Sequence, residues 1–241
     1  MKSLLLCYIT DRRQLGPGSL ASVIRQTLRA GIDMVQIREK DLATRELTAL
    51  VEEAVSAARE LPSVAQASHV PSLRDGHPFA PLRKGCGPQD WRSSPRTHAY
   101  VLVNDRLDVA LGAGADGVHL GVHSMPVQVV RQVAPRPFLL GASCHSLREA
   151  MAAESSGADY LVLGPIFETP SKLAYGPPLG LEELRNVASQ IRIPVLALGG
   201  ITVERVRPCL EAGASGIAGI RIFQDCESIE ERVRALRAQL E

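Results

Sequence analysis

Aromatic side chains make up only 4% of this 241-residue chain. Surfaces that stack unpaired bases need rows of aromatics, so their scarcity speaks against single-strand nucleic-acid binding. Charge of one sign is also lacking: 27 Lys and Arg against 26 Asp and Glu leave a formal +1. That removes the global field expected of a protein that binds nucleic acid or an anionic membrane. No apolar run reaches the roughly 20 residues of a membrane span. The N-terminal run Leu4 to Ile9 is too short for a signal peptide and meets Asp11-Arg12-Arg13 without a small-residue cleavage site, so a buried first strand is expected there. The cysteines Cys7, Cys86, Cys144, Cys209 and Cys226 are odd in number and contain no C-x-x-C pair. Neither a disulfide framework nor a zinc site is expected, and a reduced, cytoplasmic setting is.

What remains is a chain with 45% hydrophobic residues, enough for a sizeable core. Strand-like runs alternate with helical patterns throughout. Strands are expected over Leu4–Thr10, Met34–Arg38, Tyr100–Asn104, Gly117–Leu120, Phe138–Ser143, Tyr160–Gly164, Pro194–Leu198 and Gly216–Ile220. Between them lie helices at Leu20–Ala30, from a Thr44 cap to about Glu60, a short one to Gly112, one opened by Pro126 as first helical residue, one capped by Ser146 with Glu149 three residues on, Leu181–Gln190, one from Thr202 to Glu211, and Ser228–Leu240. The caps follow the preference of Ser and Thr for orphan helix N–H groups and of Pro for the first turn. Eight strands alternating with eight helices imply a parallel sheet, open or closed.

An internal repeat selects the closed form. The junctions Ala30-Gly31-Ile32-Asp33, Ala113-Gly114-Ala115-Asp116, Ser156-Gly157-Ala158-Asp159 and Ala212-Gly213-Ala214-Ser215 precede the even-numbered strands. Each places Gly where a helix ends in the left-handed conformation. Four repeated βαβα quarters suit a single (β/α)8 TIM barrel spanning residues 1–241. The stretch 62–97, rich in Pro, Gly, Ser and Arg and carrying Trp91, breaks the pattern between the second helix and the third strand. It reads as a long irregular, flexible insertion or contact surface at the face opposite the active site.

In a barrel the site collects at the C-terminal strand ends. The second strand alternates Gln36, Arg38 and Lys40 with Val35, Ile37 and Glu39. One face would therefore present an amide and two cations, which a solvated edge tolerates and an anion would satisfy. Asn104-Asp105 ends the third strand, where Asp105 is either a metal ligand or a helix cap. His119 and His123 lie around the fourth strand, and Ser143-Cys144-His145 ends the fifth. His145 is well placed for proton transfer and His119 for a hydrogen-bonded barrel residue, while Cys144 reads as packing. Thr169, Ser171 and Lys172 follow the sixth strand, Gly199-Gly200 the seventh and Arg221 the eighth. A Gly pair opening onto a helix suits a phosphate held on backbone amides. Arg38, Lys40 and Lys172 with Asp105 suit a diphosphate and Mg²⁺.

Together, Gln36-Ile37-Arg38-Glu39-Lys40, Asn104-Asp105, Gly117-Val118-His119-Leu120-Gly121, Gly164-Pro165-Ile166-Phe167 with Thr169, Ser171 and Lys172, and Gly199-Gly200-Ile201 resemble the thiamine phosphate synthases and their TenI-type relatives. The resemblance covers nearly everything outside 62–97. It implies a TIM-barrel transferase of thiamine biosynthesis that joins hydroxymethylpyrimidine diphosphate to thiazole phosphate and releases diphosphate. Its mechanism would be dissociative, the catalytic work being charge stabilisation and positioning. Carried over by motif, Gln36 and Ser143 would contact the pyrimidine, and Arg38, Lys40, Asn104 and Lys172 the diphosphate. Asp105 would ligate Mg²⁺. Thr169 and Ser171 would face the thiazole phosphate, with Gly199-Gly200 supplying backbone N–H groups. Small-molecule substrates are thus the expected partners, with no nucleic acid or membrane and with a homodimer left open.

Two positions depart from the pattern. Val122-His123-Ser124 stands where the synthases have Gln-x-Asp, so Ser124 occupies the place of a second metal ligand. Arg221 replaces a small Ser and would either bind the thiazole phosphate or fill its pocket. A TenI-type thiazole tautomerase, with His145 as acid–base group, is the alternative these departures suggest. Such proteins tend to lose the cation set that is complete here. A thiazole-phosphate-binding regulatory protein is the non-enzymatic alternative.

Overall fold

The computed structural model describes residues 4–16, 18–61, 98–134, 136–169 and 177–240. Eight strands form in chain order: β1 (Leu5–Ile9), β2 (Met34–Ile37), β3 (Tyr100–Asn104), β4 (Gly117–Leu120), β5 (Leu139–Cys144), β6 (Tyr160–Leu163), β7 (Val195–Leu198) and β8 (Gly216–Gly219). Each pairs in parallel with its successor, and β8 returns to β1, so the sheet closes into a barrel. Around it lie α1 (Leu20–Arg29), α2 (Thr44–Glu60), α3 (Leu107–Gly112), α4 (Val127–Val133), α5 (Leu147–Ser155), α6 (Gly180–Gln190), α7 (Val203–Glu211), α8 (Arg221–Gln224) and α9 (Ile229–Arg237). The expected TIM barrel is what forms.

Strand alternation divides the core into two layers. Leu5, Cys7 and Ile9 of β1 point inward with Met34, Leu102, Leu139, Tyr160, Val162, Leu196 and Ala218. Their neighbours Leu4, Leu6 and Tyr8 face the helices. Filling a barrel by side chains from alternate strands leaves no pore, so chemistry is confined to the rim.

The repeated junctions have a second function beyond the turn. Gly31, Gly114, Gly157 and Gly213 adopt positive φ of 86°, 67°, 99° and 96°. Two residues on, Asp33, Asp116 and Asp159 each accept a strand N–H at 2.8 Å, from Leu6, Val101 and Leu140 respectively. Cations sit beside two of them, Arg237 on Asp33 at 2.7 Å and Arg131 and Arg136 on Asp159 at 2.5 and 3.0 Å, while the His98 ring lies 3.1 Å from Asp116. Buried carboxylates such as Asp33 and Asp159 need such partners, and Arg131 and Arg237 thereby tie the bottom of the barrel to α4 and α9. In the fourth quarter Ser215 takes the Asp position.

Several local expectations shift. Thr44 is the first residue of α2 and Ala43 its cap; the Glu46 carboxylate accepts the Ala43 N–H at 3.2 Å in place of a hydroxyl cap. Pro126 precedes α4 as its cap residue. Ser146 caps α5 as expected, but Glu149 accepts the N–H of His145 at 2.7 Å instead of that of Ser146. After β8 the chain enters the short helix α8, absent from the sequence reading because four residues carry no periodicity. Residues 62–97, with Cys86 and Trp91, lie outside the described residues. Among the described residues no helix is long and apolar enough to cross a membrane.

Candidate active site at the C-terminal mouth

The inward alternation that fills the barrel with apolar residues turns polar one layer higher. On β2, Met34 is followed inward by Gln36, which is 2% exposed. Its Nε2 donates to Asn104 Oδ1 at 2.9 Å across β3. Asn104 Nδ2 in turn donates to Asp105 Oδ2 at 2.7 Å. Among the described residues no donor reaches the buried Gln36 Oε1, a costly condition in a protein interior.

Asp105 sits at φ 62°, a left-handed conformation that a non-Gly residue adopts at a cost of roughly 1–3 kcal/mol. The turn aims its carboxylate at the loop after β4. There Oδ1 accepts the Gly121 N–H at 3.3 Å and the Ser124 hydroxyl. Ser124 Oγ also accepts the Gly121 N–H at 2.6 Å. Asp105 therefore does not cap α3, whose cap position is Arg106. The helix-cap alternative is set aside.

Arg38 and Lys40 extend beyond the last paired residue of β2. Arg38 is half-buried and its N–H donates to Thr10 Oγ1 at 2.9 Å. Lys40 is exposed in the turn that follows. Between them Glu39 points the other way and is 6% exposed. Its carboxylate accepts the Thr10 hydroxyl at 2.6 Å and the Arg12 N–H at 3.2 Å on each oxygen. Burial raises its pKa above the usual carboxylate range, against those hydrogen bonds. Glu39 thus fastens the loop after β1 to the strand that presents both cations, a function the sequence reading did not assign to it.

On the next strands, His119 Nε2 meets Ser143 Oγ at 2.9 Å and Nδ1 meets the Tyr160 hydroxyl at 3.1 Å. Burial pushes the imidazole down to about 4; the Asp105 carboxylate pulls it upward and Arg38 pushes it down. Cys144 is buried and its thiol pushed up to about 12, chiefly by burial; it packs, as expected. His145 is half-buried just outside the barrel, with Nδ1 3.3 Å from Glu149 Oε2. His123 is exposed.

The loops after β6 and β7 pack backbone on backbone. Phe167 N–H donates to Gly199 O at 3.1 Å and Ile166 N–H to Leu198 O at 2.8 Å. Gly199 and Gly200 have φ of 97° and 62°, and a Cβ on Gly200 would fall 2.5 Å from Glu168 O. Arg205 on α7 donates to Gly200 O at 2.6 Å while its guanidinium stacks 4.6 Å over the Phe167 ring. This tie was missed, because nothing in the spacing of Phe167 and Arg205 marks a contact. Thr169 is half-buried at the end of the described part of the β6 loop; Ser171 and Lys172 lie outside the described residues. Arg221 is exposed and opens α8 instead of ending β8.

The mouth therefore unites Gln36, Arg38, Asn104, Asp105, Ser124 and Ser143, and carries Gly199-Gly200 on its β6–β7 side. Its metal-binding capacity is limited. Among the described residues no group of three or more His, Cys, Asp or Glu side chains converges on a common point. Asp105 with Ser124 is a hard-oxygen pair, which suits Mg²⁺ held mainly by water and substrate phosphates.

Comparison with known proteins fits this geometry. The family model described as thiamine monophosphate synthase matches residues 6–65 and 93–223. A thiamine-phosphate synthase of Chlorobium luteolum is 36% identical over 234 residues, covering 97% of this chain and 92% of that protein. One from Syntrophomonas wolfei is 34% identical over 232 residues, covering 96% and 94%. The solved thiamine phosphate pyrophosphorylase of Pyrococcus furiosus superposes with a TM-score of 0.76 at 33% identity, covering 99% of this chain and 96% of that one. With its matched segments spanning most of the barrel and relatives 34–36% identical over nearly its whole length, the chain belongs to the thiamine monophosphate synthase family.

Proposed function

We propose that this protein is a thiamine phosphate synthase, a transferase that joins 4-amino-5-hydroxymethyl-2-methylpyrimidine diphosphate to 4-methyl-5-(2-phosphooxyethyl)thiazole and releases diphosphate. The observation that carries the substrate assignment is Gln36 Oε1, a buried acceptor at the mouth that no donor reaches among the described residues. A pyrimidine amino group supplies one. In this reading Arg38 and Lys40 hold the diphosphate, with Asn104 as a neutral donor and with Lys172 as the further cation that the resemblance implies. Asp105 would hold Mg²⁺ with the Ser124 hydroxyl beside it, and the ion would neutralise part of the negative charge of the leaving diphosphate. The bond from the pyrimidine methylene carbon to the diphosphate oxygen breaks with its electron pair leaving on oxygen. The thiazole nitrogen lone pair then forms the new carbon–nitrogen bond. Cations fixed before the charge develops lower that barrier without reorganising, and the rigid mouth holds the two rings in line. By the resemblance, Gly199-Gly200, Thr169, Ser171 and Arg221 would serve the thiazole phosphate.

The His145–Glu149 pair is the feature a thiazole tautomerase would use as acid and base. A tautomerase has no diphosphate to hold, so it leaves Arg38, Lys40 and Lys172 without a task. The test is turnover: protein, both substrates and Mg²⁺, with thiamine phosphate measured as thiochrome fluorescence. Product that disappears on chelation of Mg²⁺ and in Arg38→Ala is the expected result. Folded protein that binds thiazole phosphate but forms no product would overturn the synthase and point to His145.

A further inference from the structure

Past its last paired residues the β1–β2 ladder is completed by a side chain. The register Ile9 to Gln36 puts Thr10 opposite Ile37. A parallel ladder would then give Thr10 one bond to Gln36 and one from Arg38. The first is regular, with Thr10 N–H donating to Gln36 O at 2.9 Å. In the second, the Arg38 N–H goes to the Thr10 hydroxyl at 2.9 Å instead of to the main-chain carbonyl. That hydroxyl donates in turn to Glu39 Oε1 at 2.6 Å. The direction is fixed, because an amide N–H only donates and Thr10 Oγ1 has one proton to pass on. Thr10 is 0% and Glu39 6% exposed, so the chain runs through the interior, where each bond strengthens the next.

The same two segments are fastened twice more. Both Glu39 oxygens accept the Arg12 N–H at 3.2 Å. The Arg12 and Arg13 guanidiniums meet Asp41 Oδ2 at 2.8 and 2.9 Å. Residues Arg12–Gln14 form a single tight turn, and its cap Asp11 accepts the Arg13 N–H at 3.1 Å. The acids at 39 and 41 are thus both tied to the loop after β1. Arg38 and Lys40, the two cations of the β2 end, alternate with those acids along the chain.

We infer that Thr10 is a positioning residue: its hydroxyl, relayed through Glu39, braces residues 38–41 so that Arg38 and Lys40 are set for a diphosphate before it arrives. This rests on the synthase reading of those two cations and adds a residue to which that reading gives no task. A long cationic side chain on a loose segment has to be ordered by its ligand, and that ordering weakens binding. On a braced segment the ordering is already done. The brace also makes a prediction opposite in sign to plain charge. Removing the negative charge of Glu39, next in the chain to Arg38 and Lys40, would by Coulomb's law alone tighten an anion. If Glu39 acts by bracing, the same change loosens it.

The experiment is calorimetric binding of inorganic diphosphate with Mg²⁺, and separately of thiazole phosphate, to the unaltered protein, Thr10→Val, Thr10→Ser and Glu39→Gln. Thr10→Val keeps the branched shape and removes the hydroxyl from Arg38 N–H and Glu39 Oε1. Its Kd for diphosphate should rise about tenfold, as loss of a buried hydrogen-bonded link predicts. Its Kd for thiazole phosphate should stay the same. Thr10→Ser, which keeps the hydroxyl, should restore the diphosphate Kd to within about twofold. Glu39→Gln keeps one acceptor oxygen and should weaken diphosphate by about threefold. An unchanged diphosphate Kd in folded Thr10→Val overturns the brace, as does failure of Ser to rescue or equal weakening of both ligands. Should Thr10→Val not fold, the sign in Glu39→Gln decides: weaker diphosphate binding upholds the brace, and equal or tighter binding overturns it. Unaltered protein that binds no diphosphate would overturn the synthase reading of Arg38 and Lys40 and the brace with it, whereas the variant results strike the brace alone.

Discussion

Ser124 donates its hydroxyl to the carboxylate of Asp105, across the gap between the loops after β3 and β4. In the resemblance that first marked this site, a second carboxylate stands where Ser124 is. The hydroxyl keeps the hydrogen-bonded connection but brings no charge. Introducing that charge should change the protein in two measurable ways. Ser124→Asp is expected to lower the Mg²⁺ concentration for half-maximal activity by about tenfold, since a second carboxylate strengthens a hard-cation site. Without Mg²⁺ the variant should melt earlier, by up to about 1 kcal/mol of like-charge repulsion, and Mg²⁺ should restore it. An unchanged Mg²⁺ titration would remove Asp105 and Ser124 from the metal site.

Gly141→Ala tests the barrel interior. The added methyl would sit 2.1 Å from the Tyr160 ring, with β5 and β6 both fixed by the ladder around it. Overpacking of this kind costs about 1–3 kcal/mol. Urea denaturation should show the midpoint falling with little change in slope, and a midpoint within error of the unaltered protein would show that the ring can move aside.

Arg205→Ala separates the two loop contacts from the chemistry. It removes the 2.6 Å bond to Gly200 O and the stack on Phe167, together worth about 1–2 kcal/mol at a partly exposed site. The expected kinetic result is a rise in KM for the thiazole phosphate, because Gly199-Gly200 loses its brace, with kcat little changed. Arg205→Lys should fail to restore it, since an ammonium cannot stack flat on Phe167 and bond Gly200 at once. Full rescue by Lys would reduce the contact to simple charge.

His119 gives stability a particular pH dependence. Its folded pKa is depressed to about 4 by burial, whereas the unfolded imidazole titrates near 6.5. Between those values the unfolded chain binds the extra proton, so stability rises with pH across the window and is lost as pH falls from about 6.5 toward 4. The full effect is on the order of 3 kcal/mol. Comparing urea midpoints of the unaltered protein and His119→Gln at pH 7 and pH 4.5 isolates it. Equal pH slopes in the two proteins would show that His119 is not buried neutral.

Alternation of strand and helix, with Gly at four equivalent junctions, was sufficient to read the barrel and the end at which its polar strand termini gather, because period, turn chemistry and repeat are local properties of a sequence. The same holds for Gln36, Arg38, Asn104, Asp105 and Ser143, which strand-end position alone brought to the mouth. Other features are set by contacts between residues far apart in the chain. Asp33, Asp116 and Asp159 looked like turn residues until the closed sheet gave each a strand N–H, and gave Asp33 and Asp159 a guanidinium as well. Asp105 stood equally for a cap or a ligand until its left-handed backbone turned the carboxylate away from α3. Glu39, alternating onto the apolar side of its strand, is buried because Thr10 and Arg12 meet it from the preceding loop. Residues 119, 143 and 160 become one hydrogen-bonded chain only when β4, β5 and β6 lie side by side, with Gly141 leaving room between them. The sequence by itself determined which residue types reach the rim. Tertiary structure decided which of them touch, because a hydrogen bond requires atoms within about 3 Å, a separation that depends on strand register and packing.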